Sequence, residues 1–205
     1  MGVEKNTIIW YCSDNGGLKN ISPSTVGGLR GNKNTMWEGG LRVPAIIEWP
    51  ETIAPGITKY PASTMDIFPT ILEIVGLYPK NKYSNLDGKS ITNLFEANKY
   101  KRTLKIPFRF DNRGALIDNN IKLIAHDIEK LEFELYDLSN DPTESIDISK
   151  SNSQVFELMK NEFMIWNNSV DREVNAMKFN HPQHWVIIEN YIKYFDQWID
   201  RPEYS

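Results

Sequence analysis

The pattern of hydrophobic and polar positions changes character near the middle of the chain. The first half contains two short apolar runs, Thr7–Cys12 and Val43–Trp49, which predict two strands, and the first is expected to be buried and parallel. Between them, residues 16–42 are rich in Gly, Asn and Ser without a regular period. Such a long irregular segment predicts a functional loop. Asp14 therefore falls at the carboxyl end of the first predicted strand.

An amphipathic helix is predicted after the second strand. Ser63 and Asp66 have the spacing of a capping box, in which each residue bonds the backbone of the other. Gly76 provides the stop signal, because glycine readily adopts the left-handed conformation that ends helices. Apolar residues at helical spacing define the face expected to be buried, namely Ile67, Ile71, Leu72, Ile74 and Val75.

The second half of the chain has shorter alternating segments separated by Asn- and Asp-rich turns, which is typical of an antiparallel meander. Strands are predicted at 106–110, 114–118, 121–126 and 133–138, and helices at 153–175 and 185–198. The order of elements indicates the end of an α/β domain, residues 1–100, joined to a smaller α+β subdomain, residues 101–205.

Composition excludes some classes of partner. The net charge is −4, and the Lys and Arg residues are scattered, so neither nucleic acid nor an anionic membrane is an expected partner. No apolar run approaches the roughly 18 to 20 residues that span a bilayer. Residues 1–6 lack the pattern of a signal peptide. Cys12 is the single cysteine, so an intrachain disulfide is ruled out. We expect Cys12 to pack as a small apolar residue.

The candidate functional residues lie at the carboxyl end of the first predicted strand and in the loop that follows it. Asp14 and Asn15 offer a carboxylate and an amide oxygen, the ligand types that Ca²⁺ or Mg²⁺ prefers. Lys33 offers a compact positive charge that can stabilise an oxyanion or a leaving oxygen. Together they suggest hydrolysis of an ester of an anionic group. The alternative is that Asp14 and Asn15 form an ordinary turn and that Lys33 is merely solvated.

Other polar residues are expected to be structural. Glu38 and Arg42, four residues apart, predict an ion pair that holds the loop, and Arg30 is expected to play a similar part. His126 lies in a predicted strand and is expected to be a surface or packing residue. His181 and His184 have no Cys or acidic partner that would complete a zinc site.

Two segments resemble the sulfatase family of the alkaline phosphatase superfamily, Ser13–Gly17 and Leu29–Pro44. The resemblance continues through most of the chain, in Ser63–Gly76, Leu86–Ile91 and Phe133–Glu144. It implies the C-terminal part of an alkaline-phosphatase-like α/β domain followed by a small α+β subdomain with an antiparallel sheet.

The same resemblance implies roles for individual residues. Asp14 and Asn15 match ligands of the family's Ca²⁺ ion, and Lys33 matches the lysine that contacts the sulfate. Asn32 and Asn34 stand where glycines are usual, a mild substitution because Asn also accepts left-handed backbone angles. The implied reaction is hydrolysis of a sulfate ester of a small molecule or carbohydrate.

The family's nucleophile is a formylglycine made within a Cys/Ser-x-Pro-x-Arg motif, and the 205 residues contain no such motif. We therefore expect a C-terminal portion of a sulfatase that lacks the N-terminal formylglycine region and is inactive alone. Residues 1–60 are then expected to aggregate or to be partly disordered in isolation, while 100–205 stay folded. Two alternatives stay open, a phosphoryl or phosphonate ester hydrolase of the same superfamily and a non-catalytic interaction module.

Overall fold

A computed structural model describes residues 2–21, 24–77, 86–96 and 101–180. The chain divides into two compact units, Met1–Phe163 and Met164–Ser205. The first unit contains every strand described below, and the described part of the second is helical. The predicted domain boundary near residue 100 stays a prediction. No helix within the described ranges is long and apolar enough to cross a membrane.

The first two strands form a small antiparallel sheet. Strand β1 (Ile9–Cys12) pairs with β2 (Ala45–Glu48), and Tyr11 lies opposite Ile46. The positions of both strands are confirmed, but the expectation of a buried parallel β1 is wrong. The chain returns through the loop to run antiparallel, and Ile9 and Tyr11 are 56% and 65% exposed. An apolar run therefore predicts a strand, but it does not predict whether other elements bury that strand.

The predicted capping box is present. The Ser63 hydroxyl accepts a hydrogen bond from the Met65 N–H (3.4 Å), and Asp66 Oδ2 accepts one from the Ser63 N–H (2.8 Å). Helix α2 (Ile67–Ile74) follows this turn, and the predicted stop signal Gly76, with a φ of +69°, lies two residues after its last residue. Its apolar face is only partly covered, since Ile71 and Val75 are 44% and 55% exposed.

The predicted meander is confirmed as a four-stranded antiparallel sheet in the order β3-β4-β5-β6. Its strands are β3 (Ile106–Phe110), β4 (Arg113–Asp118), β5 (Ile121–Asp127) and β6 (Glu132–Asp137). Helix α3 (Ser153–Asn180) confirms the predicted helix and extends it. The helix predicted at 185–198 lies outside the described residues.

The four-stranded sheet has a packed layer on each face. On one face, buried side chains of the sheet and the loop form a cluster of Met36, Ala115, Ile124 and Tyr136. On the other face, the ring of Phe163 in α3 packs edge-on against Phe133. It also lies so close to Gly114 that a Cβ there would meet the ring at 2.4 Å. The sheet is therefore the support on which the loop rests.

A buried ion pair ties the start of α2 to the segment that leads into β3. Arg102 Nη1 and Nη2 donate to Asp66 Oδ2 (2.6 Å) and Oδ1 (2.9 Å), and both side chains are almost completely buried. Asp66 Oδ1 also accepts from the Lys89 N–H at 2.8 Å. A bidentate pair with its remaining lone pairs satisfied is a strong and directional contact.

Candidate anion and metal site

Two backbone hydrogen bonds bring the predicted site segments together. The Gly16 N–H donates to the Gly40 carbonyl (2.9 Å), and the Lys33 N–H donates to the Gly17 carbonyl (2.8 Å). Asp14 and Asn15 directly precede Gly16, so the loop that carries Lys33 is fixed against the end of β1. The structure therefore places the three predicted site residues in two adjoining segments.

Glycines make this close approach possible. A Cβ at Gly16 would lie 1.9 Å from the Gly39 carbonyl oxygen, and one at Gly40 would lie 2.2 Å from that of Thr35. Side chains do not fit at such distances, so these positions require glycine. Asn34 has a φ of +74°, which confirms that asparagine accepts a left-handed position in this loop.

The side chains of the three predicted site residues differ in their exposure to solvent. Asp14 and Lys33 are exposed, and Asn15 is half-buried. Among the described residues, no hydrogen bond or ion pair engages the Asp14 carboxylate or the Lys33 ammonium. Both charged groups are thus accessible to a ligand.

A carboxylate next to an amide oxygen fits a hard cation, which takes about six to eight oxygen ligands. Asp14 and Asn15 are the two such donors at the end of β1. In the described ranges, no group of three or more His, Cys, Asp or Glu side chains is placed to hold a metal. The two residues therefore fit part of a cation's shell and do not complete one.

The predicted Glu38–Arg42 ion pair is present but is not the main contact of Glu38. Arg42 Nη1 lies 3.9 Å from Glu38 Oε2, and its side chain is 62% exposed. The buried Lys122 of β5 is much closer, with its Nζ 2.9 Å from Glu38 Oε1 and 2.7 Å from Glu144 Oε1. Sequence reasoning missed both Lys122 and Glu144, because their partners lie far away along the chain. A lysine on the core-facing side of an apolar strand was the available signal.

Glu144 contacts both ends of the loop segment that runs from Arg30 to Glu38. Its Oε2 accepts from the Glu38 N–H (2.6 Å), at the start of α1 (Glu38–Leu41), and its carbonyl accepts from Arg30 Nη1 (2.5 Å). Burial raises the pKa of Glu144, although Lys122 and the Glu38 N–H act in the opposite direction. Glu144 has a φ of +54°, a conformation that is costly for a residue with a long side chain.

Aromatic stacking also joins the loop to the sheet. The Arg30 guanidinium lies 3.6 Å from the centroid of the Trp37 ring, so Arg30 is structural, as expected, although it forms no ion pair with any residue that the structure describes. Trp37 in turn packs on His126 and Tyr136, at centroid distances of 5.1 and 5.6 Å. His126 also hydrogen-bonds Glu134 (2.5 Å), which confirms the expected packing role. His181 and His184 lie outside the described residues.

Comparison with known proteins agrees with this arrangement. The family model described as Sulfatase matches residues 1–77, which include the end of β1 and the whole loop. This segment of the chain therefore matches the sulfatase family. A sulfatase of Formosa agariphila is 33% identical over 187 residues, covering 80% of the chain and 34% of that relative. The N-acetylgalactosamine-6-sulfatase of Mus musculus is 43% identical over 84 residues, covering 38% of the chain and 16% of that relative.

Solved structures show the same fold. The crystal structure of Ps i-CgsB in complex with k-i-k-neocarrahexaose superimposes with a TM-score of 0.69 at 26% identity, covering 88% of the chain and 43% of that structure. The sulfatase-like α/β fold with a smaller antiparallel sheet is thus confirmed. The chain spans about a third of the length of the Formosa agariphila sulfatase.

Proposed function

We propose that the chain supplies the anion-binding part of a sulfate ester hydrolase, with Lys33 as the residue that binds a sulfate oxygen. The observation that supports it best is the fixed backbone of Lys33, bonded to Gly17 at 2.8 Å, beneath an exposed ammonium without a protein partner among the described residues. Because the backbone of Lys33 is already fixed, binding of an anion has to order only the lysine side chain.

Asp14 and Asn15 would hold a Ca²⁺ ion through their side-chain oxygens, with further ligands from outside this pair. A bound Ca²⁺ would supply positive charge to the sulfate oxygens. Lys33 would stabilise the negative charge that develops on the leaving oxygen. Because the sequence contains no Cys/Ser-x-Pro-x-Arg motif, we propose that these 205 residues bind the anion and the metal without turning over a sulfate ester by themselves.

The proposed substrate class is a sulfated small molecule or a sulfated carbohydrate. One relative is named N-acetylgalactosamine-6-sulfatase, and one similar structure was solved with a carbohydrate, k-i-k-neocarrahexaose. A phosphoryl or phosphonate ester is the alternative within the superfamily. The sulfatase names of the relatives favour the sulfate ester.

Calorimetric titration of the 205-residue chain with inorganic sulfate, with and without Ca²⁺, tests the anion site. Lys33→Ala should weaken sulfate binding about tenfold, the loss of roughly one charge-assisted contact. Lys19→Ala, which removes another exposed lysine of the same loop, is the matched control and should have no effect. Equal sulfate affinity in the Lys33 and Lys19 variants would contradict the proposal.

Titration with Ca²⁺ tests the metal site separately. Asp14→Ala should abolish the Ca²⁺ dependence of sulfate binding, whereas Asp87→Ala, which removes another exposed carboxylate, should preserve it. Inorganic phosphate titrated in parallel distinguishes the two ester classes. Tighter binding of phosphate than of sulfate would favour the alternative.

A further inference from the structure

We propose that Glu144 is a positioning residue that clamps the Lys33 loop to the four-stranded sheet, with Lys122 as its counter-charge. The inference rests on the proposed function of Lys33, because it concerns how the anion-binding group is held. It assigns a role in that site to two residues that lie far from Lys33 along the chain, in β5 and after β6.

The clamp closes around the segment that contains Lys33. Arg30 precedes that segment and donates to the Glu144 carbonyl, and Glu38 ends it and donates its N–H to the Glu144 carboxylate. The two ends also meet directly, because the Gly39 N–H donates to the Arg30 carbonyl at 2.7 Å. Glu144 therefore bonds both ends of the segment that contains Lys33, one through its backbone carbonyl and the other through its side chain.

A tight turn after β6 holds Glu144 in this position. The Asp141 carboxylate accepts from the N–H groups of Ser145 (2.7 Å) and Ile146 (2.8 Å), so it closes the turn around Glu144. Within that turn Glu144 has a φ of +54°, and its side chain is completely buried. Backbone strain of this kind persists where surrounding contacts over-determine it, often next to functional sites.

The charges of the cluster depend on one another. Glu38 and Glu144 are both buried, and the ammonium of Lys122 lies within 2.9 Å of each carboxylate. Loss of Lys122 would leave two buried carboxylates without their cation, which is strongly unfavourable. Loss of the Glu144 carboxylate would leave Lys122 paired with Glu38 alone and would weaken the acceptor of the Glu38 N–H. In either case, opening of the loop would bring water to the groups left without a partner, and it would release Lys33 from its fixed place.

Amide hydrogen exchange on the 205-residue chain tests the clamp without any substrate. In Glu144→Gln, the amides of Lys33 and Gly39 should exchange at least tenfold faster than in the unaltered chain. The amides of Lys89 and Ile91, which are bonded to Asp66 and Thr70, should be unchanged. This pattern would show local release of the loop rather than general loss of stability.

A matched control is available in the other buried ion pair of the same unit. Arg102→Met likewise breaks a buried ion pair, here by removing the cation, but it does not touch the loop. It should speed exchange of the Lys89 amide. The amides of Lys33 and Gly39 should exchange at nearly the same rate as in the unaltered chain. Equal acceleration at both places in both variants, or no acceleration at Lys33 and Gly39 in Glu144→Gln, would overturn the clamp.

Sulfate affinity provides the second readout. Glu144→Gln should weaken binding of inorganic sulfate about fivefold, and it should have no further effect in a Lys33→Ala background, because it acts through Lys33. An equal loss in both backgrounds would overturn the positioning role. Absence of sulfate binding by the unaltered chain would instead contradict the proposed function, and hydrogen exchange would still decide whether the clamp exists.

A milder variant keeps the test decisive if Glu144→Gln does not fold. Arg30 is exposed, and Arg30→Met removes only its bond to the Glu144 carbonyl and its stacking on Trp37. It should speed exchange of the Gly39 amide at least threefold while leaving Lys89 unchanged. Unaltered exchange at Gly39 would overturn the clamp.

Discussion

Replacing Arg102 by methionine should be among the most destabilising single changes in the first compact unit. Its guanidinium makes two bonds to Asp66, of 2.6 and 2.9 Å, and both side chains are at most 1% exposed. At a charge separation of about 4 Å and an effective dielectric constant of about 20, their attraction is about 4 kcal/mol. Removal of one partner of such a buried pair typically costs about 3 to 5 kcal/mol, because it leaves an uncompensated charge.

Two backbone donors, from Ser63 and Lys89, remain on the Asp66 carboxylate in this variant. We therefore expect a loss at the lower end of that range, about 3 kcal/mol, which corresponds to a decrease in Tm of about 6 to 12 °C for a chain of this size. Urea and thermal unfolding followed by circular dichroism measure both quantities. The control is Arg109→Met, at an exposed position in β3, which should change stability by no more than about 0.5 kcal/mol.

A loss of less than about 1 kcal/mol in Arg102→Met would refute the reasoning, since it would mean that water or a rearranged cation replaces the guanidinium. A double-mutant cycle with Asp66→Asn gives an independent measure of the pair. The two changes together should cost clearly less than the sum of the single changes, because the second removes the charge that the first left unpaired.

Three further predictions concern the loop, its supporting turn and the exposed sheet face. Gly16→Ala should destabilise by about 2 kcal/mol or more in urea unfolding, because its Cβ would overlap the Gly39 carbonyl, whereas Gly56→Ala has space and should be neutral. Burial raises the pKa of Asp141, but hydrogen bonds from Ile146 and Ser145 outweigh it and lower that pKa below 3.8. Stability from Asp141 is therefore present above pH 3.8 and lost as the pH falls through the lowered pKa, so Asp141→Asn should flatten the acid-unfolding curve there. Ile46→Lys, at a position 64% exposed, should raise the solubility of the chain in light-scattering measurements without lowering its Tm; increased scattering would contradict this.

The parts of the fold that could be predicted are those encoded by neighbours in the sequence. The capping box of α2 depends on Ser63 and Asp66, three residues apart, and the meander depends on local alternation and on turn residues that tolerate positive φ. Asp111 and Asn119 are such residues, with φ values of +58° and +54° between successive strands. Local rules of this kind need no knowledge of what lies across the core.

The environment of β1 and the contacts of Glu38 could not be predicted, for a related reason. The apolar run at Ile9–Cys12 specifies a strand, but its coverage depends on elements elsewhere. Glu38 has a charged residue four positions away, Arg42, and that local pair is the one the sequence indicates. The closer contact comes from Lys122, whose position opposite the loop follows only from the register of the sheet.

The loop that carries Lys33 is attached to the four-stranded sheet through Glu144, Lys122 and the ring of Trp37. This attachment has a consequence for protein engineering, because the sheet is not an interchangeable module. A chimaera that grafts another sheet in place of residues 101–163 would need a lysine at position 122 and a glutamate within the turn at position 144. Without both, the graft would disturb a loop that lies entirely in the segment left unaltered.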